Sequence, residues 1–130
     1  MDKTFNKSSS VSIKIVSLVK QIAKKSPSKF KIGCVILNKS KIVISTGYNN
    51  MTKTHPKCPT WGNFIHAELD ALIGVDFNKT YKGTAYIYRE KANGQKGMSK
   101  PCKICFLALQ KAGIKKIIYS TENAIIEENI

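Results

Sequence analysis

The stretch 64-FIHAELDAL-72 decides how this chain is read. Phe64, Ile65, Leu69 and Leu72 are apolar and spaced for burial, the pattern of a helix with one face in a core. His66 and Glu68 interrupt it at the first turn, two residues apart. Farther along, 101-PCKIC-105 sets two cysteines at the start of a second helical run. A CxxC there brings two sulfurs within reach of one ion, and a helix N-terminus favours thiolates. Catalytic zinc sites use three protein ligands and keep a fourth position for water. His66, Cys102 and Cys105 can supply one nitrogen and two thiolates. Glu68 then stands near the metal without having to bind it, placed to take a proton from the water and hand it on.

Outward from these motifs the chain alternates helical and extended patterns. Apolar residues recur at helical spacing through 11-VSIKIVSLVKQIAKKS-26, with Ser8, Ser9 and Ser10 as cap candidates and Pro27 as the stop. The runs 30-FKIGCVILN-38 and 41-KIVISTGYN-49, joined at Lys39-Ser40, predict a β-hairpin. A loop to about Gly62 leads into a helix over 64–75. A strand follows over 84-TAYIYRE-90, then a flexible loop over 91–100. A helix begins with Pro101 at its first position and ends at Gly113. The last strand is 114-IKKIIYST-121, trailed by an acidic tail. The order α-β-β-α-β-α-β favours a mixed sheet with helices on both faces.

The length of 130 residues fits one domain, 1–130, and a hydrophobic share of 42% excludes a disordered chain. The first ten residues lack the apolar core of a secretory signal, and no apolar run approaches membrane-spanning length, so no membrane partner and a cytoplasmic location are expected. Four cysteines, two of them as CxxC, point to metal or redox chemistry before a disulfide framework. The net charge is +14, and residues 1–65 hold twelve lysines against the single acid Asp2. Such a field attracts nucleotide phosphates or polyanions, although lysine, isoleucine and asparagine are abundant throughout, as in a compositionally biased genome. The one arginine, Arg89, ends a strand, where α/β sheets bind ligands, and offers a fork suited to phosphate. It could equally pair with Glu90 or Asp70. Trp61 is either an anchor for its loop or a platform for a base. His55 and Cys58 are too few to make a second metal site by themselves. Cys34, mid-strand, reads as a small core residue.

His66-Ala67-Glu68 and Pro101-Cys102-Lys103-Ile104-Cys105 together match the H-x-E…P-C-x-x-C signature of zinc nucleobase deaminases. From Phe30 to Thr121 the chain resembles the cytidine/deoxycytidylate deaminase superfamily, and 52-TKTHP-56 is similar to its small phage-type members. The resemblance implies an α/β architecture: a three-layer α/β/α cytidine-deaminase-like fold with a mixed central sheet of four to five strands. It implies a resident zinc ion and substrate contacts from Asn49, after the second strand, and from the backbone at Ala67. Asp70 stands where deoxycytidylate deaminases usually carry Asn, and the ten-residue loop before PCxxC is longer than theirs.

The expected activity is hydrolytic deamination of cytosine to uracil in a (deoxy)cytidine nucleotide, free or within single-stranded nucleic acid. A tRNA adenosine deaminase and a nucleic-acid-binding protein with a structural zinc are the alternatives. A purely structural site would need a fourth ligand and no carboxylate beside it. Members of the family commonly assemble, which leaves a homo-oligomer open.

Overall fold

Strand composition and alternation account for most of the architecture. The computed structural model describes residues 11–50 and 66–130. In chain order the elements are α1 (Ile13–Ala23), β1 (Lys31–Leu37), β2 (Val43–Tyr48), α2 (Ala67–Leu72), α3 (Phe77–Thr80), β3 (Thr84–Glu90), β4 (Lys96–Gly97), α4 (Lys103–Lys111), β5 (Lys116–Ser120) and β6 (Ile125–Asn129). They form one six-stranded sheet in the order β2-β1-β3-β5-β6, with β4 beside β3. β3 and β5 are parallel and the other pairs antiparallel, so the sheet is mixed as expected.

Side chains alternate across a strand, so a run that is apolar at every position must be buried on both faces. On β1, Cys34 and Ile36 face one layer while Val35 and Leu37 face the other. On β3, Ala85 and Ile87 join the first set and Tyr86 and Tyr88 the second. α1 covers the second face with Val19, Ile22 and Ala23. α2 and α4 cover the first with Ala67, Ala71 and Leu109. That is the expected three-layer arrangement.

Two glycines set how closely the helices approach. A Cβ on Gly33 would stand 2.6 Å from the Val19 carbonyl oxygen of α1, and one on Gly47 would stand 2.5 Å from the Ala71 nitrogen of α2. Both are contacts that no side chain larger than hydrogen permits, so α1 and α2 lie with their backbones on the sheet.

Several sequence expectations are corrected. The cap of α1 is Ser12, whose Oγ accepts from the Ile15 N–H at 3.3 Å, and the helix spans 13–23, not 11–26. The proposed caps Ser8–Ser10 lie outside the described residues. Within 66–75, α2 is helical only over 67–72; Gly74 at φ +80° turns the chain, and the short α3 follows unforeseen. The loop 91–100 is largely a tight hairpin: the Lys91 N–H donates to the Gln95 carbonyl, Gly94 takes φ +85°, and β4 pairs Gly97 with Arg89. Pro101 precedes the cap residue Cys102, so it is not the first helical residue. The acidic tail is an edge strand, β6, joined to β5 by Lys116–Glu127 at 2.9 Å and tied to the loop before α4 by Lys100–Glu128 at 3.4 Å. Among the described residues the sheet has five strands in its main path, within the expected four to five, and the two-residue β4 beside β3 makes a sixth.

Candidate active site

Strand direction brings the sequence motifs together. β2 and β3 are each antiparallel to β1 between them, so they run the same way and their C-terminal ends share one sheet edge. α4 leaves that edge after β3 and crosses to β5, the connection that a parallel pair requires. α2 begins at the same edge and lies on the same face.

Both helices open on an unusual cap. His66 caps α2 and Cys102 caps α4, and neither side chain hydrogen-bonds its helix amides. Ser, Thr, Asp or Asn would be the stabilising choice, worth about 1 kcal/mol over a non-capping residue. The two positions instead aim ligand atoms at each other. His66 Nδ1 stands 3.7 Å from Cys102 Sγ and 3.3 Å from Cys105 Sγ, and the three donor atoms lie within 4.8 Å of one another. Cys105 is fully buried, His66 half-buried and Cys102 exposed. Burial lowers the His66 pKa, favouring the neutral imidazole that ligates metals. Burial also holds the Cys105 thiol far above its usual range, with Glu68 and Cys102 adding to the effect. A cation among the donors supplies the charge that thiolates at this site need. One nitrogen and two sulfurs converging from two helix starts fit zinc with an open fourth position.

The Glu68 carboxyl lies in the first turn of α2, 5% exposed. Desolvation raises its pKa to about 7, partly opposed by a hydrogen bond from its own backbone N–H. Beneath it in the core sits Cys34, whose thiol is raised chiefly by burial and then by Glu68 and Asp70.

A pocket of about 500 Å³ opens at this edge, and His66, Ala67, Glu68 and Cys102 share it with Asn49 and Arg89. Of the sequence-derived candidates, Trp61, His55 and Cys58 lie outside the described residues. Asn49 is 9% exposed, and its side chain braces the start of β1. Oδ1 accepts from the Ile32 N–H at 2.9 Å, and Nδ2 donates to the Phe30 carbonyl at 2.6 Å. Each of these atoms keeps one further hydrogen-bonding position.

Arg89 forms no ion pair among the described residues. Glu90 reaches Lys24 at 3.8 Å, and an Asp70 oxygen accepts from the Tyr48 N–H at 3.2 Å. The guanidinium lies 4.7 Å from the centre of the Phe30 ring, and its Nε is buried without a hydrogen-bond partner among the described residues.

Sequence reasoning missed Phe30, Met98 and Ser99 as pocket residues. Phe30 was legible only as an aromatic at a strand start. Ser99 carried no signal: its Oγ donates to the Ile87 carbonyl at 2.8 Å, while its N–H donates to the Ser120 carbonyl, which pins the approach to Cys102.

Comparisons with known proteins bear on the family and on the fold. The family described as the cytidine and deoxycytidylate deaminase zinc-binding region matches residues 9–121. A sequence search of curated proteins returned no match. Among solved structures, a cytidine deaminase from Burkholderia pseudomallei superposes with a TM-score of 0.65 at 16% identity, covering 92% of this chain and 93% of that one. A variant of cytidine deaminase from Mycobacterium tuberculosis gives 0.59 at 17% identity, covering 88% and 89%. The dCMP deaminase of cyanophage S-TIM5 gives 0.55 at 19% identity, covering 85% and 86%. At these identities the likeness concerns the fold. With the family match spanning most of the chain and a zinc-compatible donor set in the pocket, the chain belongs to the cytidine and deoxycytidylate deaminase family of zinc-dependent hydrolases.

Proposed function

We propose that this chain deaminates cytosine to uracil in a (deoxy)cytidine nucleotide, free or within single-stranded nucleic acid. His66, Cys102 and Cys105 hold the zinc ion, which when bound acts as a Lewis acid on the reacting water. Glu68 carries the protons. Its carboxylate takes one from the water as the oxygen adds to C4 of the base, and gives it to the ring nitrogen N3. It then relays the second proton to the exocyclic amine, and the C4–N bond breaks. Water and cytosine are consumed; uracil and ammonia leave. Backbone at Ala67 and the Asn49 amide orient the base and sugar, and Arg89 receives the phosphate.

The observation that carries the reading is Glu68, a buried carboxyl lining the same pocket as two of the three metal-donor residues, its pKa raised by burial. A general acid–base works best when its pKa lies near the working pH. The same carboxyl argues against a purely structural zinc, which would have no use for a buried carboxyl beside its donors. Release of ammonia from cytidine, deoxycytidine, their monophosphates, single-stranded DNA and tRNA tests the proposal. Turnover of a cytosine substrate supports it. Turnover of adenosine in tRNA alone, or of none of the panel by zinc-loaded protein, overturns it.

A further inference from the structure

A second pocket, of about 450 Å³, opens at the opposite edge of the sheet. It lies where β1 ends and β3 and β5 begin, beside the N-terminus of α1. Roughly 3.4 Å per residue of extended strand puts Thr84 in this pocket about 17 Å from Arg89 in the other. Six of its twelve lining residues are lysines, namely Lys14, Lys39, Lys41, Lys82, Lys115 and Lys116, whereas Lys and Arg together are 22 of 130 residues in the chain. Among the described residues, one lysine, Lys100, lines the pocket around Glu68. Among the described residues no acidic side chain lines the basic pocket. Among the described residues Lys116 pairs with Glu127, and the other five lysines form no ion pair.

Backbone conformation adds a second observation. Lys41 at φ +65° and Lys82 at φ +60° are the two non-glycine residues with positive φ among those described, and both belong to this pocket. Lysine is disfavoured in that region, where Gly, Asn and Asp are better tolerated. Two lysines therefore line the same pocket in backbone conformations that lysine disfavours. The N-terminus of α1 adds its own partial positive charge to the same field. Repulsion among clustered ammonium groups is relieved by an anion of high charge density, and lysines suit one as mobile point charges.

We propose that this basic pocket is a second, non-catalytic binding site for a ligand bearing several phosphates. The site is independent of the deaminase reading, because none of its residues lines the pocket around Glu68.

Inorganic tripolyphosphate is the probe, measured by calorimetric titration and thermal melting against sodium chloride of matched ionic strength. The wild-type protein binds it saturably, about one per chain, with a melting-temperature rise beyond that in chloride. The variant Lys41→Asn/Lys82→Asn removes two charges while placing a better-tolerated residue at each positive φ. It therefore melts no lower than wild type in low salt, and binds tripolyphosphate at least tenfold more weakly. A control of equal charge loss, Lys20→Gln/Lys111→Gln on the exposed faces of α1 and α4, binds within about twofold of wild type. Absence of saturable binding above the chloride baseline, or equal weakening in both variants, overturns the site. A twelve-nucleotide oligothymidylate identifies the source of the phosphates. Parallel weakening of its binding by the pocket variant assigns them to a nucleic-acid backbone. Unchanged oligonucleotide binding with loss of tripolyphosphate assigns them to a free polyphosphate.

Discussion

Cys105 Sγ lies 3.3 Å from His66 Nδ1, although the two residues are 39 positions apart and begin different helices. The distance results from parallel strands β2 and β3 ending at one sheet edge, with α2 and α4 starting there on one face. It makes a direct prediction about metal. The purified protein holds about one zinc per chain. Cys102→Ser and His66→Ala lose it, while Cys34→Ser, which changes a core residue on β1, keeps it at some cost in melting temperature. Zinc retained in Cys102→Ser, measured by elemental analysis, would contradict the donor set.

Glu68→Gln separates chemistry from folding. The amide keeps the volume of the carboxyl but cannot move protons, and general acid–base catalysis contributes about 10²–10⁴-fold. Because one group serves several transfers, the loss in kcat lies at or beyond the upper end. Zinc content stays at wild-type level. The melting temperature does not fall, since a neutral amide avoids the cost of burying a charge. Activity within tenfold of wild type would remove Glu68 from the reaction.

Arg89 tests the phosphate contact. Arg89→Lys keeps the charge but loses the planar fork and the stack on Phe30. KM rises about tenfold for the nucleoside monophosphate and stays within twofold for the unphosphorylated nucleoside, at unchanged melting temperature. A lowered melting temperature with unaltered KM would make Arg89 a structural residue of the strand end.

Gly47 links packing to the site. Gly47→Ala drives a methyl into the α2 backbone at Ala71, and overpacking of this kind costs about 1–3 kcal/mol. α2 carries His66 and Glu68, so zinc affinity falls together with stability. Gly33→Ala strains the opposite layer against α1 and lowers stability without weakening zinc binding. Equal zinc affinities in the two variants, measured by chelator competition, would show that α2 is free to shift without disturbing the ligands.

The strand β6 has a pH signature. The Glu128 carboxyl accepts a hydrogen bond from the Tyr119 hydroxyl and pairs with Lys100, and both hold its pKa below the ordinary value. A depressed carboxylate contributes stability that is complete above the unfolded pKa, about 4.3 for Glu. That stability is lost as pH falls through the lower folded value. Glu128→Gln lowers the melting temperature at pH 6 and narrows its difference from wild type toward pH 3. Tyr119 is the converse case: burial, then Glu128, raises its hydroxyl to about 12, so its contribution is intact below about pH 10 and is lost as pH rises toward 12. A constant Glu128→Gln difference between pH 6 and pH 3 would show that the carboxylate is not linked to folding.

The sequence by itself determined the local pieces and the chemical inventory. The order α-β-β-α-β-α-β favoured a mixed sheet with helices on both faces, and His66, Glu68, Cys102 and Cys105 could be named because ligand types and a carboxyl at fixed spacing are poorly explained by packing. Tertiary structure decided what depends on neighbours distant in sequence. The acidic 122–130 segment reads as a solvated tail until Lys116 and Lys100 stand opposite its charges and β5 offers an open edge. The 91–100 loop reads as flexible until β3 gives β4 a partner beyond the point where β5 stops pairing. Phe30 becomes a pocket wall only when the antiparallel register sets the start of β1 beside the end of β3 and so brings it under Arg89. The six lysines of the basic pocket come from four separate stretches of chain, in a sequence where lysine is common everywhere. Their convergence carries no local signal, because strand direction alone gathers the starts of β3 and β5 with the end of β1.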